Sequence, residues 1–388
     1  MRLGFPLRRV STKLEFIARR IAVYKWYCTW MLFNLRKYKK QPGNIRKITV
    51  IDCSGGLGDN LGGIGVLNSL KKQYSGLEIF YITNDAASKT IYSNSAKIMG
   101  ESYFNKELLK NSDIIIEISP FRNKTNNQYL KQYYVVGMGP YSIKESLTDV
   151  FARNKLFSYN KTFPAGINHA IRERFMIFEK SGFYFPDYRL YFESSEQHKK
   201  EAKKIHDSLK LKNKKIVFFN PFSGTSKNAR AKGLIPSHDW PLENYSSLAN
   251  MILADKNSRI IVLGLKQDEE EAGQIISSVK KEFRSRICSL CGKISFFGLG
   301  ELMKKGKCIV SLDTSCAHLA AQVGLPVIDL MGPFNPKIWA AWQPKEKGFT
   351  LFHKEVCNSC RRFYCPERNN ICMKTIFVEE VHELIKTI

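Results

Sequence analysis

The chain has 388 residues, enough for two domains with full hydrophobic cores. Lys and Arg number 61 against 35 Asp and Glu, a net charge of +26, which favours anionic partners: nucleic acid, an acidic membrane face or a phosphorylated substrate. The longest uncharged run in the N-terminal stretch, Trp26–Leu35, is too short to span a bilayer, and no small-residue cleavage site follows a clean apolar segment, so neither a spanning helix nor a secretory signal is expected.

Residues 1–45 form a basic arm. Cations alternate there with Phe16, Ile21, Trp26, Trp30 and Phe33, against the single acid Glu15. One reading is an amphipathic helix lying on an anionic membrane face; the other is a helix packed on the protein's own core with a solvated basic side. Residues 46–193 open with strand Ile48–Asp52, a Gly-rich loop "CSGGLGDN", a helix near Ile64–Gln73 and strand Leu77–Ile82, a parallel β-α-β pattern. A further strand is expected in "SDIIIEIS" (112–119), and helices near 144–154 and 168–180. A polar helix over 194–213 then links to a second alternating series, 214–345. Its strands are expected at 216–220, 259–264, 308–312 and 326–332, with helices at 242–255, 267–284, 296–305 and 315–323. A Cys-rich segment and a C-terminal helix complete the chain over 346–388. The fold class is therefore α/β, two Rossmann-like domains facing a cleft, with ligands at the carboxyl ends of the strands.

Polar residues crowd one strand-to-helix junction, "SLDTSCAHLAAQVGLPVIDLMGP" (311–333). Backbone N–H groups at such a helix start make an anion site, and Thr314 and Ser315 add hydroxyls. Capping by Asp313 or Thr314 alone would account for part of this pattern, but it does not call for His318 one turn into the helix. Ten cysteines are present. Cys357, Cys360, Cys365 and Cys372 follow C-x2-C-x4-C-x6-C, a spacing that suits either a structural zinc site or free thiols in a reducing compartment.

The junction resembles the donor segment of glycosyltransferase family 9, the bacterial lipopolysaccharide heptosyltransferases, whose pattern is D-T-G-x-x-H-L-A-A-x-x-G-x-P-V-x-x-L-F-G-P. "GGLGDNL", "NPFSGTSK", "WPLENYSSLANMI", "VLGLKQDEEEA" and "CGKISFFGLGELM" follow the family's order, so that the resemblance covers roughly 46–376. It implies a GT-B fold and inverting transfer of a sugar, usually heptose from ADP-heptose, onto the Kdo–lipid A inner core. In this resemblance Asp59 is the general base. Ser223, Thr225 and Ser226 meet the diphosphate, Asp268 the ribose, Ile294 the base and Asp313 the sugar hydroxyls. Thr314 and Ser315 meet the phosphates, and His318 the diphosphate or sugar. Gly55, Gly56, Gly58, Gly62 and Gly63 let the backbone approach a ligand. Two departures stand out. Ser315 replaces a glycine, and "SKNARAKGLIPSHDWP" carries an insertion where a single cation usually precedes Trp-Pro. Lys227, Arg230 and Lys232 compete for that role, with Lys227 favoured.

No D-x-D occurs in the chain, so no catalytic metal or other cofactor is expected. The implied partners are a nucleotide sugar, an anionic glycolipid acceptor and the cytoplasmic face of the inner membrane. The competing reading is a basic nucleic-acid-binding protein with a zinc tail. Against it, no RNA-binding motif interleaves the cations, and no nucleic-acid partner is expected. A binding homologue without activity is the third reading, and Asp59 speaks against it.

Overall fold

The computed structural model describes residues 43–53, 56–119, 134–138, 161–163, 168–344 and most of 347–388. Residues 1–42 of the basic arm, Gly55, the expected helix at 144–154 and Cys357 lie outside the described residues. The chain divides into two units, Met1–Glu193 and Ser194–Ile388.

Among the described residues of the first unit, six parallel strands follow the order β3-β2-β1-β4-β5-β6. They are β1 (Lys47–Asp52), β2 (Glu78–Thr83), β3 (Lys97–Gly100), β4 (Ile114–Ser119), β5 (Val135–Met138) and β6 (Lys161–Phe163). β1 and β4 are near-continuous apolar runs because a central parallel strand is buried on both faces. Helix α1 (Leu57–Gln73) crosses from β1 to β2, and α2 (Ala170–Lys180) packs beside it. α1 begins seven residues before the expected Ile64. The apparent Gly-rich loop is therefore largely helix. Gly62 and Gly63 are buried in it: a Cβ on Gly62 would strike Ile171 Cδ1, and one on Gly63 would lie 2.8 Å from the Tyr81 hydroxyl. These two glycines serve close packing of helix on helix and helix on sheet, not the approach of a ligand.

The second unit has the same strand order about its own centre, β12-β11-β10-β7-β8-β9, again all parallel. Its strands are β7 (Lys215–Asn220), β8 (Ser258–Val262), β9 (Ile287–Ser289), β10 (Cys308–Leu312), β11 (Val327–Leu330) and β12 (Phe349–Leu351). The strands the sequence pattern missed, β3, β5, β6, β9 and β12, are short and lie at or next to the sheet edges, where periodicity is weakest.

Helix α3 (Glu196–Ser208), expected as a linker, belongs to the second unit. It packs on α7 (Phe296–Met303), with His198 stacked on Phe297 at 5.7 Å and Glu201 accepting the Ser295 N–H at 2.8 Å. Between them in sequence come α4 (Gly224–Ala231), α5 (Leu242–Leu253) and α6 (Glu269–Ser278); α8 (Ser315–Val323) and α9 (Val378–Thr387) follow. The expected helix 267–284 is interrupted after Ser278 and resumes as a 3-10 turn, Lys281–Arg286.

Trp240 and Tyr245 join Val217, Phe219 and Val262 in one buried cluster with Met373, Ile376 and Val381. The Trp240 indole N–H donates to the Ile376 carbonyl at 2.8 Å. Burial of each large apolar side chain contributes about 1.5–3 kcal/mol, so this cluster fastens the C-terminal helix to α5.

Candidate functional site

Both sheets reverse direction of strand order beside their first strand, between β1 and β4 and between β7 and β10. In open α/β sheets the crevice outside the strand ends at such a reversal is where ligands bind. The residues singled out by sequence collect at these two places, within their own units.

In the first unit, Asp52 ends β1 and is 1 % exposed. The pairing with β4 shifts register at this point, setting Ser119 opposite Asp52. Ser119 donates to Asp52 Oδ1 at 2.7 Å and the Tyr81 hydroxyl to Oδ2 at 3.1 Å. Burial raises the Asp52 carboxyl above the usual carboxylate range, against the lowering pull of Arg174. Arg174, buried on α2, reaches Asp59 Oδ1 at 3.3 Å and lies 3.9 Å from Asp52. Asp59 sits in the first turn of α1, three residues past Gly56, rather than in a loop. Its Oδ2 accepts the Gly56 N–H at 3.1 Å, yet its side chain remains 38 % exposed. One guanidinium thus serves two carboxylates, one buried and one open to solvent. Asp52 and Arg174 were not among the expected site residues. A carboxylate closing the apolar run "ITVID" was a visible signal for Asp52. The Asp59–Arg174 pairing spans 115 positions and has none in the sequence.

In the second unit, Asn220 ends β7 and joins the two expected donor loops. Its Nδ2 donates to Thr314 Oγ1 at 2.6 Å and to Ser311 Oγ at 3.2 Å. Thr314 precedes α8 without a side-chain cap, and Ser223 precedes α4 without one. Two helix starts with N–H groups not capped by these side chains therefore stand at neighbouring strand ends, the setting in which helix termini bind anions. Ser315 is the first residue of α8. His318 is one turn further, its Nε2 3.6 Å from Asp313 Oδ1. Ser223, Thr225 and Ser226 converge on one residue the sequence reading left out. His238 Nε2 lies 3.0, 2.9 and 3.3 Å from their hydroxyls. A Cβ on Gly332 would lie 3.0 Å from His238 Cβ, so the glycine after β11 lets the His238 loop close on the sheet.

The favoured phosphate cation is already engaged. Lys227 Nζ is 2.6 Å from Asp268 Oδ1 and donates to the Gln267 carbonyl at 2.7 Å. Asp268 is buried and also accepts the Leu265 N–H at 2.7 Å, so it is tied into the turn before α6. Arg230 pairs with Asp239 and Glu271, while Lys232 is exposed. Ile294 stands half-buried between β9 and α7. A further carboxyl, Asp329 on β11, is fully buried. Its Oδ2 accepts the Ala341 N–H at 3.0 Å, and its Oδ1 has no hydrogen-bond partner. Burial first, and Asp313 second, push its pKa up to about 7, against the lowering effects of the Ala341 N–H and His318.

The Cys-rich segment braces the His238 loop. Cys365 N–H donates to the Ile235 carbonyl at 2.7 Å, Cys372 Sγ to the Ser237 carbonyl at 3.5 Å, and Asn370 Nδ2 to the Asp239 carbonyl at 2.8 Å. Cys365 is a free thiol. Among the described residues no group of three or more His, Cys, Asp or Glu is arranged to hold a metal ion.

Two parallel sheets with this strand order, and polar clusters at both reversals, define an α/β protein of the GT-B class. The chain belongs to glycosyltransferase family 9 (heptosyltransferase), whose model matches residues 130–370. It is similar to lipopolysaccharide heptosyltransferase 2 of Salmonella typhimurium, 24% identical over 153 residues. That match covers 39% of this chain and 43% of the relative, so the chain spans less than half the length of that protein. Among solved structures, it resembles the family 9 glycosyl transferase of Veillonella parvula with a TM-score of 0.67 and 17% identity, covering 90% of this chain and 98% of that one. The ADP-heptose lps heptosyltransferase II of E. coli follows at TM-score 0.62 and 16% identity, covering 88% and 97%.

Proposed function

We propose that this chain transfers heptose from ADP-heptose onto the inner core of lipopolysaccharide, with inversion at the anomeric carbon. The observation that carries the reading is the joining of the Ser223–Ser226 and Asp313–His318 segments through Asn220, at the strand-order reversal of the second unit. That arrangement offers N–H and O–H donors to a departing diphosphate, which needs such donors as its charge develops. The names of the relatives supply the heptose and the glycolipid; the E. coli structure's name supplies ADP-heptose.

In this reading Asp59 removes the proton of the acceptor hydroxyl as it attacks C1. Arg174 balances and aims the carboxylate, and the solvent-open side of Asp59 meets the acceptor. Asp313 takes sugar hydroxyls, Thr314 and Ser315 the phosphates, and His318 the diphosphate or sugar. Lys227 and Asp268 line the nucleotide side as a pair, and Ile294 packs on the base. No step runs through a metal. The cysteine tetrad is structural, and metal analysis of the purified protein tests whether it holds zinc.

The basic arm places the enzyme on the anionic cytoplasmic face of the inner membrane. Among the described residues no helix is long and apolar enough to cross a membrane. Deleting residues 1–40 should abolish salt-sensitive binding to anionic vesicles while donor binding persists. Salt-insensitive binding, or an unfolded truncation, would instead make the arm a packed helix.

The deciding assay presents ADP-, UDP- and GDP-sugars with a lipid A–Kdo acceptor and measures nucleotide release. Turnover confined to ADP-heptose supports the reading. Turnover of another nucleotide sugar would replace the donor, and binding of nucleic acid without any turnover would overturn the enzyme.

A further inference from the structure

The carboxylate read above as the base stands in the first turn of a helix whose N-cap has no side chain. Gly56 precedes α1 in an extended conformation and offers no side-chain cap. The first N–H groups of a helix have no intrahelical partner, and helix ends fray when nothing else holds them. Asn60, the fourth residue of α1 and the neighbour of Asp59, supplies the hold. It is completely buried. Its Nδ2 donates to the Gly56 carbonyl at 2.9 Å, beside the helical bond from its own N–H to the same oxygen at 3.1 Å. Its Oδ1 lies 2.9 Å from the Tyr81 hydroxyl and within hydrogen-bond reach of the Thr83 hydroxyl. The orientation of the amide follows from its partners: a carbonyl oxygen only accepts, so Nδ2 faces Gly56 and Oδ1 faces the hydroxyls.

Tyr81 and Thr83 are two positions apart on β2, hence on one face of the strand. Each also reaches Asp52 at the end of β1, the Tyr81 hydroxyl at Oδ2 and Thr83 Oγ1 at the main-chain carbonyl, 2.8 Å away. Gly63 lies one turn past Asn60 on the same helix face and leaves the room that Tyr81 needs, since a Cβ there would stand 2.8 Å from the hydroxyl. Asn60 thus ties the Gly56 carbonyl to the ends of two neighbouring strands, while Asp59 Oδ2 takes the Gly56 N–H at 3.1 Å. Few side chains could replace it. Aspartate has no donor for a carbonyl, leucine has neither donor nor acceptor, and serine has one short hydroxyl for both ends.

We propose that Asn60 is a positioning residue for the transfer reaction: it pins the first turn of α1 to the strand ends and so fixes the direction in which Asp59 meets the acceptor hydroxyl. The proposal rests on the reading that Asp59 is the general base. Proton abstraction is sensitive to placement, and an error of about 1 Å can lower a rate about a hundredfold. In the same reading the donor is bound by the second unit, so its affinity does not depend on Asn60.

The test is a double-mutant cycle on turnover with the full chain, ADP-heptose and the lipid A–Kdo acceptor. Asn60→Ala should lower kcat roughly ten- to a hundredfold and leave ADP-heptose affinity, measured by calorimetry, within about twofold of wild type. In the Asp59→Asn background the same substitution should change kcat by less than about twofold, because no base is left to aim. A residue needed only for stability would lower turnover by the same factor in both backgrounds, and that result would overturn the proposal. Wild-type kcat in a folded Asn60→Ala would do so too. Where Asn60→Ala does not fold, Tyr81→Phe keeps the ring, removes one hydroxyl from Oδ1 and enters the same cycle, with an expected loss of roughly three- to tenfold read in the same way. Wild-type turnover by Asp59→Asn alone, or no transfer by the wild type from any nucleotide sugar, would overturn the reading of the site and this proposal with it.

Discussion

The ends of β1 and β7 occupy equivalent places in sheets of the same strand order, yet they are built from opposite chemistry. At β1 the polar groups are charged: Asp52, Asp59 and the guanidinium of Arg174 between them. At β7 the groups bonded at the strand end are neutral, Asn220, Thr314 and three hydroxyls around His238, with the carboxylate Asp313 beside Thr314 and the nearby cations bound to carboxylates. A charge array suits a group that must accept a proton and keep its orientation. A set of neutral donors suits recognition of an anion, because hydroxyls and N–H groups bind charge without a permanent counter-ion that would have to be displaced. In the proposed reading the same topology hosts two tasks, and the difference lies in what fills the strand ends.

Removing the cation from the first site should give the largest effect. Arg174→Met leaves the buried Asp52 without its guanidinium and should cost about 3 kcal/mol or more of stability in urea denaturation. Adding Asp52→Asn should recover much of that loss; two additive penalties would mean that the 3.9 Å pair carries no coupling. Asp59→Asn should leave ADP-heptose affinity near wild type and lower transfer about a hundredfold or more in a steady-state assay. Wild-type turnover by that variant would leave the charge array a purely structural feature.

The second site is sharpened by Asp329. Its folded pKa of about 7 lies above the value near 4 expected for an unfolded chain, so the folded state binds more protons between these limits. Stability should fall as pH rises through that window. Asp329→Asn, fixed in the neutral form, should abolish the fall. It should be more stable than wild type by ~1–3 kcal/mol at about pH 8, and nearly equal to it at about pH 4. A variant destabilised at alkaline pH would show that the carboxylate is held by a partner.

Thr314→Val should have the smallest effect. It weakens ADP binding by about 1–2 kcal/mol through loss of one donor to a charged acceptor. The variant should also lose about 1 kcal/mol of stability, because Thr314 Oγ1 accepts from Asn220. Unchanged ADP affinity by calorimetry would remove Thr314 from the anion site.

The sequence by itself determined the alternation of strands and helices, the split near residue 193 and the two polar strand ends. Long buried runs such as "DIIIEIS" and "CIVSL" admit few other roles, and a strand-to-helix junction dense in hydroxyls is legible at short range. Family resemblance offered roles for Asp59 and the Asp313–His318 segment because their residues are contiguous. Tertiary structure decided the rest. Arg174 meets Asp59 only because α2 packs against α1 at Gly62, where a Cβ would strike Ile171. His238 meets the three hydroxyls only because the Cys-rich segment and Gly332 hold its loop against the second sheet. Lys227 and Arg230, free in a list of residues, are spent on Asp268, Asp239 and Glu271 once the chain folds. Pairings across tens of residues follow from packing and from the cost of leaving charges unpaired, and neither is written in local pattern.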